Sequence, residues 1–400
     1  MRQFAQATTA TFTDLRRDFS VSAAVAGLIA VVVSYGGPAA IIFQAADKAG
    51  LSSGQVASWI WAISIGSGLA GVGLSLRYRV PVIVAWSTPG AALLAAGWAA
   101  YSYPEAIGAF LLAGVAITIF GATGLFSALM ERIPSAVVAA MLAGILFRFG
   151  VDVFTSLRGA PLLVTPMLAC YLAMKRLKPR YAILTTLCTG LAAAAALGLL
   201  HLDSLDAALA RPELTTPVFS LGALIGLGVP LFMVTMTGQN ATGLGVLRTA
   251  GYKTPGGPLV AATGILSTLL APFGAHGINL AAITAAICTG PEAHHSPDRR
   301  YVAGVVCGLA YLVIGLFGAT LVGIFAALPA ALVAAISGLA LFGALMAGLT
   351  QAMEVEAQRE AALVTFLITV SGVTLWGIGS AFWGLVGGVL ANAALTARRG

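Results

Sequence analysis

Charge is what this chain has least of. Only 9% of its 400 residues are Asp, Glu, Lys or Arg, against 59% that are hydrophobic. A soluble domain carries about 25% charged residues, so this composition cannot cover a water-facing surface. Apolar runs of about 20 residues, the length a helix needs to cross a bilayer, recur along the chain. The sequence reads as an all-α polytopic membrane protein. Cysteine is scarce too: Cys170, Cys188, Cys288 and Cys307 all sit in or beside apolar segments, with no zinc spacing, and read as small packing residues. No HExxH, GxSxG or Walker A pattern occurs, which leaves little material for an enzyme or an ATP-driven pump. Glu292, His294 and His295 crowd one loop, but beside Pro291, Pro297 and Asp298 and in no metal-ligand spacing. No metal or cofactor is expected. The first twenty residues lack the uninterrupted apolar core of a signal peptide, since Asp14, Arg16, Arg17 and Asp18 break it. Residues 1–20 read as a cytoplasmic N-terminal arm.

What is present is a periodic succession of apolar segments. They fall near 22–43, 54–76, 81–100, 105–130, 134–150, 160–174 and 180–200, then 218–240, 256–270, 272–290, 301–322, 324–348, 360–376 and 379–396, about fourteen spans. With the N-terminus in the cytoplasm, only Lys48, Arg148, Arg158 and Arg211 of the 21 basic residues face the other side. The positive-inside rule expects this asymmetry. It accounts for the net charge of +7 through the lipid bilayer, without nucleic acid, and places both termini in the cytoplasm.

The chain also repeats itself. Pro134–Phe147 and Pro329–Phe342 share seven of fourteen residues at an offset of 195, and Pro81 and Pro272 align two further segments at 191. Seven spans per copy is an odd number. The second copy must therefore enter the membrane from the opposite side, giving a 7+7 inverted repeat of the kind secondary transporters use. The segments beginning at Pro81 and Pro272 each read as a short extended piece followed by a half-helix. Backbone of that kind at membrane depth is tolerated only where protein buries it or it lines a cavity. Two facing half-helix N-termini would present free N–H groups and partial positive charge, an anion site that needs no Lys or Arg. Ser87 and Thr88 suit a cap for the first, with Pro89 in its first turn, and Asn279 suits a cap for the second.

Several stretches carry a family resemblance. They are Ser34–Ala46, Leu74–Arg79, Ala85–Ala92, Pro104–Phe110, Met141–Gly144 followed by Arg148-Phe-Gly150, Gly274–Ala281 and Ala286–Gly290. They resemble the BenE-type benzoate:proton symporter family over essentially the whole chain. The resemblance implies the fold of nucleobase and sulfate/bicarbonate transporters. In that fold a core domain comes from residues 21–132 and 215–322, and a gate domain from 133–214 and 323–400. It also implies substrate between spans 3 and 10, with polar groups from spans 1 and 8, and a homodimer. Nucleobase transporters of the fold place carboxylates near Gln239 and Ile278. Their absence suits an aromatic carboxylate, which Ile278 could pack against, and removes the usual proton carriers.

The expected substrate-binding residues are thus Tyr35, Trp86, Ser87, Thr88, Thr237, Gln239, Asn240, His276, Gly277, Ile278 and Asn279. His276 is the candidate for proton coupling, because an imidazole titrates near neutral pH and would be favoured as a cation beside a bound carboxylate. The partners are then a small aromatic carboxylate and protons. An uncoupled anion channel or exchanger, and a nucleobase transporter, remain alternatives on the same fold. Arg148 and Asp152, four apart, read as a surface or gate salt bridge. Gly36-Gly37-Pro38 beside Tyr35 reads as a helix irregularity.

Overall fold

The computed structural model describes residues 10–36, 38–125, 134–200, 207–376 and 378–396. Among the basic residues assigned to the cytoplasm, Arg2, Arg132, Arg398 and Arg399 lie outside them, as does Gly37. A short helix, α1 (Phe12–Asp18), is started by a reciprocal cap between Thr11 and Asp14. It is followed by α2 (Val21–Gly36), α3 (Ala39–Lys48) and α4 (Ser53–Tyr78). A strand, β1 (Val84–Trp86), leads into α5 (Thr88–Gly97), and α6 (Tyr103–Thr123), α7 (Ser135–Gly159), α8 (Pro161–Leu177) and α9 (Ala182–Ala196) complete the first half. The second half opens with α10 (Leu221–Thr249), which is π-wound over Leu224–Gly228 and Met236–Ala241. It continues through α11 (Gly256–Leu270), strand β2 (Ile278–Leu280), α12 (Ile283–Thr289), α13 (Tyr301–Leu316), α14 (Gly318–Ala326), α15 (Ala330–Glu354), α16 (Arg359–Ser371) and α17 (Ser380–Thr396).

Eight helices, with α2 and α3 taken together, are long and apolar enough to cross a membrane among the described residues. Their outer faces carry Leu28, Leu69, Ile119, Leu269 and Val313, apolar side chains exposed in a way that only lipid makes favourable. The remaining expected spans fall on shorter helices and on the two strand–helix units. Several boundaries move. In the first span α2 ends at Gly36 and α3, with Pro38 at its N-cap, runs on to Lys48; the expected irregularity includes Gly37, which lies outside the described residues. The fifth runs to Gly159 and the eighth to Thr249. The stretch 324–348 divides between α14 and α15.

Helix pairing follows a two-fold pattern. The most extensive contacts join α4 to α13, α6 to α11, and α7 to α15. In order within each half, these are second with fourth, fourth with second, and fifth with fifth. The third elements meet in an antiparallel ladder, Val84↔Leu280, Ala85↔Asn279 and Trp86↔Ile278. Exchanging the halves by a two-fold axis preserves every one of these pairings, as an inverted repeat requires. Close approach is set by glycine: a Cβ on Gly308 of α13 would stand 2.8 Å from the Gly68 carbonyl oxygen of α4.

Two expectations are corrected at the ladder. Its symmetry-equivalent positions, Val84 with Ile278 and Ala85 with Asn279, lie at an offset of 194, not 191. Pro272 does not start the broken segment; it lies in the 3₁₀ turn Ala271–Phe273 that closes α11. That turn ends on Gly274 at φ +104°, a conformation open to glycine, where a Cβ would also meet the Trp59 backbone at 3.0 Å. Asn279 is the middle residue of β2, so it cannot cap α12, whose N-cap is Ala282.

Non-helical backbone at this depth must find partners inside the protein, and it does. The Ser87 N–H donates to the Gly277 carbonyl, and the Ala281 N–H to that of Ile83, each at 2.9 Å. The Ile278 N–H donates to Ser267 Oγ of α11 (2.8 Å), and the Leu280 N–H to Asn240 Oδ1 of α10 (2.9 Å). On the β1 side the Val82 N–H donates to Ser75 Oγ of α4 (3.2 Å). One serine on the helix preceding each break thus holds that break.

Between the halves, residues 207–220 run as an extended strap. Its N–H groups at Ala210, Thr215 and Val218 donate to the carbonyls of Leu316, Pro272 and Pro104.

Candidate functional site

Ser87 ends β1 and caps α5. Its hydroxyl accepts from the Gly90 N–H (3.1 Å) and shares a hydrogen bond with Thr235 Oγ1 of α10 (3.1 Å). Thr88 is the first residue of α5 and Pro89 the second, the position where a missing N–H costs nothing. The Ser87 carbonyl also meets His276 Nε2 at 2.9 Å. The other imidazole nitrogen, Nδ1, accepts from the Trp59 indole N–H at 2.9 Å. An indole only donates, so Nδ1 carries no proton and Nε2–H donates to Ser87. His276 is a fully buried, neutral strut between α4, α5 and the segment before β2.

A cavity of about 610 Å³ lies in front of this frame. Trp86, Thr88 and Pro89 form one wall, and Thr237, Gly238 and Gln239, thrown inward by the π-wound turn of α10, form the next. Such turns concentrate at functional sites. Ala281, Ala282 and Thr284, around the start of α12, line a third side. Opposite them stand Val138 and Leu142 of α7 and Ala344 and Gly348 of α15. Ser135 and Gln351, both exposed, mark the mouth. No Asp, Glu, Lys, Arg or His is among the described lining residues.

The expected site residues separate accordingly. Trp86, Thr88, Thr237 and Gln239 line the cavity; Tyr35, Ser87, Asn240, His276, Gly277, Ile278 and Asn279 do not. Tyr35 is buried behind it, its hydroxyl bonded to Ser64 and its ring 6.3 Å from that of Trp86. Asn240 is spent on the β2 edge. Gly277 is packed so that a Cβ would lie 3.3 Å from Ser87. Ile278 points away from the cavity towards Gly66 and Leu270, so it cannot pack on a ligand ring there. The Asn279 amide, in the orientation its neighbours require, accepts from the Ser87 N–H at 3.0 Å. A strand alternates its faces, and one-dimensional proximity to the break could not say which face fronts the cavity. Trp59, Ser267, Thr235, Thr284 and Gln351 went unnoticed in the sequence. The first two are mid-helix residues with no local signal, and Gln351 is one polar residue at a span end.

Two further expectations resolve here. Arg148 and Asp152 form no ion pair with each other, and neither has another among the described residues. The loop of Glu292, His294 and His295 is organised by Arg300, which donates to the carbonyls of Thr289 (2.6 Å) and His294 (2.7 Å) and so closes the C-terminal end of α12.

A chain whose broken helices, two-fold pairing and uncharged cavity take this form can be set against known proteins. The family model described as benzoate membrane transport protein matches residues 17–394. The chain belongs to the benzoate membrane transport protein family. Within that family it is 44% identical to the benzoate membrane transport protein of Acinetobacter baylyi over 377 residues, 94% of this chain and 96% of the relative. It is 45% identical to the inner membrane protein YdcO of Escherichia coli over 363 residues, 91% and 93% of the two. Among solved structures, the transmembrane domain of the cyanobacterial bicarbonate transporter BicA superposes with a TM-score of 0.59 at 16% identity. The match covers 98% of this chain and 99% of that one. Murine Slc26a9, an anion transporter in the inward-facing state, gives 0.59 at 13% identity, covering 96% and 69%. These likenesses establish the fold of this benzoate-family member: a polytopic helical transporter, multi-pass in the membrane.

Proposed function

We propose that this family member is a secondary active transporter that imports benzoate, or a similar aromatic carboxylate, with protons by alternating access. The observation that carries the reading is the 610 Å³ cavity, apolar on most sides and without a charged side chain among its described lining residues, set before the first turn of α5. A helix N-terminus carries roughly half a positive charge, so a carboxylate can be held there by amides and hydroxyls alone. Thr88, Thr237, Gln239 and Thr284 supply the polar contacts for the carboxylate, while Trp86, Val138 and Leu142 supply the apolar ones for the ring. Ser87, Asn240, Gly277, Ile278 and Asn279 serve the site by fixing the ladder that aims α5. The name of the A. baylyi relative supports the same substrate.

In this reading the cavity walls divide between a core and a gate domain. β1, α5, α10, β2 and α12 belong to the core, and α7 and α15 to the gate. The two-domain division, cytoplasmic termini, an inner-membrane location and a homodimer complete the proposal. Proton coupling falls to His276. A second proton on Nδ1 would face the Trp59 N–H, donor against donor, and the two side chains would have to part. Protonation would therefore loosen the strut that fixes the α5 N-cap.

One observation favours a second reading, an uncoupled carrier or exchanger: no titratable side chain is among the described cavity-lining residues. Purified protein in liposomes with an acidic exterior distinguishes them, with protein-free vesicles measuring passive entry of benzoic acid. Benzoate accumulation above that background supports symport. Equilibration without accumulation supports the second reading. Uracil or sulfate uptake with none of benzoate overturns the substrate.

A further inference from the structure

A second cavity, of about 420 Å³, continues along α5 and α7 from the first. On α7 the inner cavity is lined as far as Leu142 and the second begins at Gly144; on α5 they are lined by Thr88 and Pro89, then by Leu93, Ala96 and Gly97. The two cavities follow one another along both helices, and α5 packs against α7. Their chemistry differs. No charged side chain is among the described residues lining the inner cavity, whereas the second carries Lys48, Arg148 and Asp152. Lys48 and Arg148 are two of the four basic residues that charge asymmetry puts on the side away from the cytoplasm.

These two cations are not equivalent. The Lys48 ammonium donates to the Ala95 carbonyl at 2.9 Å, so it is spent on the negative C-terminal end of α5. Arg148 has no hydrogen bond or ion pair among the described residues, although Asp152 is one helical turn away. Arg148 shares the cavity wall with the apolar side chains of Leu93, Phe147 and Val370. A guanidinium presents a planar fork matched to a carboxylate, and the cavity offers room for a ring. Leu142 to Arg148 is six residues, about 9 Å along a helix.

We propose that this second cavity is an external docking site for the carboxylate substrate, with Arg148 receiving the carboxylate before the α5–α7 contact opens. It rests on the reading of the protein as an aromatic-carboxylate importer. The site raises local substrate concentration by charge and hands its load to a chamber where a fixed cation would hold it too tightly to release. Asp152 tempers the attraction.

Initial rates of benzoate uptake into whole cells, at about pH 8 where the carboxylic acid is ionised, test this against uptake into inside-out membrane vesicles. In cells, Arg148→Gln is expected to raise KM roughly five-fold and abolish its dependence on ionic strength, and Arg148→Lys to retain most of both. Asp152→Asn is expected to lower KM about two-fold, the opposite direction, which lost packing would not produce. Inside-out vesicles should show neither change. Unchanged KM and salt dependence in Arg148→Gln cells, or equal changes from both sides, overturn the docking site while leaving the transporter reading intact. No benzoate uptake by the unaltered protein overturns both.

Discussion

The Trp59 indole N–H points at His276 Nδ1 from 2.9 Å, and this bond decides that the imidazole proton sits on Nε2, against the Ser87 carbonyl. A single proton position therefore links α4 to the capping residue of α5. His276→Gln preserves one acceptor and one donor but cannot bind a proton. Proton-driven accumulation should disappear, while exchange of labelled for unlabelled benzoate across the same liposomes persists. Accumulation equal to that of the unaltered protein would remove His276 from coupling.

Ser87→Ala takes away the cap on Gly90 and leaves the Thr235 hydroxyl without its partner. Cap loss and a broken buried hydrogen bond together are worth about 1–3 kcal/mol. The expected result is a lower Tm in detergent and weaker benzoate binding. Thr235→Val spares the cap and should weaken binding less; equal losses would show that the cap is not what matters.

Gly308→Ala should destabilise by about 1–3 kcal/mol, because the new methyl meets backbone atoms of Gly68 and Val72 at 2.8 Å and neither helix can give way locally. Gly245→Ala in α10, where a Cβ meets nothing within 4 Å, is the control and should hold or slightly raise Tm. Chemical or thermal unfolding of the two variants side by side reads the difference.

Acid should undo the N-terminal arm. Hydrogen bonds from Thr11, and then from Arg79, hold the Asp14 carboxyl well below the usual carboxylate range, and Arg17 with Tyr301 lowers that of Asp18. A carboxyl depressed in the folded state stabilises above its unfolded pKa of about 4 and loses that contribution as pH falls further. These bonds tie α1 to the end of α4 through Arg79, and to the start of α13 through Arg299 and Tyr301. Tm measured from pH 7 down to about pH 3 should drop most steeply below pH 4, and Asp18→Asn should flatten that drop. An identical pH profile in Asp18→Asn would exclude the arm as its source.

Much of the architecture could be read in the sequence because it is written in long-range composition. Low charge and recurrent apolar runs announce a bilayer, and a repeat at half the chain length announces two-fold pairing. The Ser87 cap carries local chemistry strong enough to place it. The site was legible only in part. Trp86, Thr88, Thr237 and Gln239 were expected and line the cavity. His276, Ile278 and Asn279 were given ligand-facing roles from the resemblance and from imidazole chemistry, yet none lines the cavity: His276 braces α4 to α5, and Ile278 and Asn279 are spent in β2. The π-wound turn of α10 leaves no mark in sequence, because it depends on what α10 packs against. Arg148 and Asp152 have the spacing of a helix ion pair, but both line an open cavity, and ion pairs between exposed side chains gain little.

The ladder Val84–Trp86 with Ile278–Leu280 unites two strands encoded nearly two hundred residues apart. Neither half of the chain can close its own break: alone, each would carry an open strand edge into hydrocarbon. A half-length polypeptide of this kind would be driven to seek an upside-down twin. The same necessity makes the two halves, produced as separate chains, natural candidates for reassembly into one working carrier, with the strand edge itself as the adhesive.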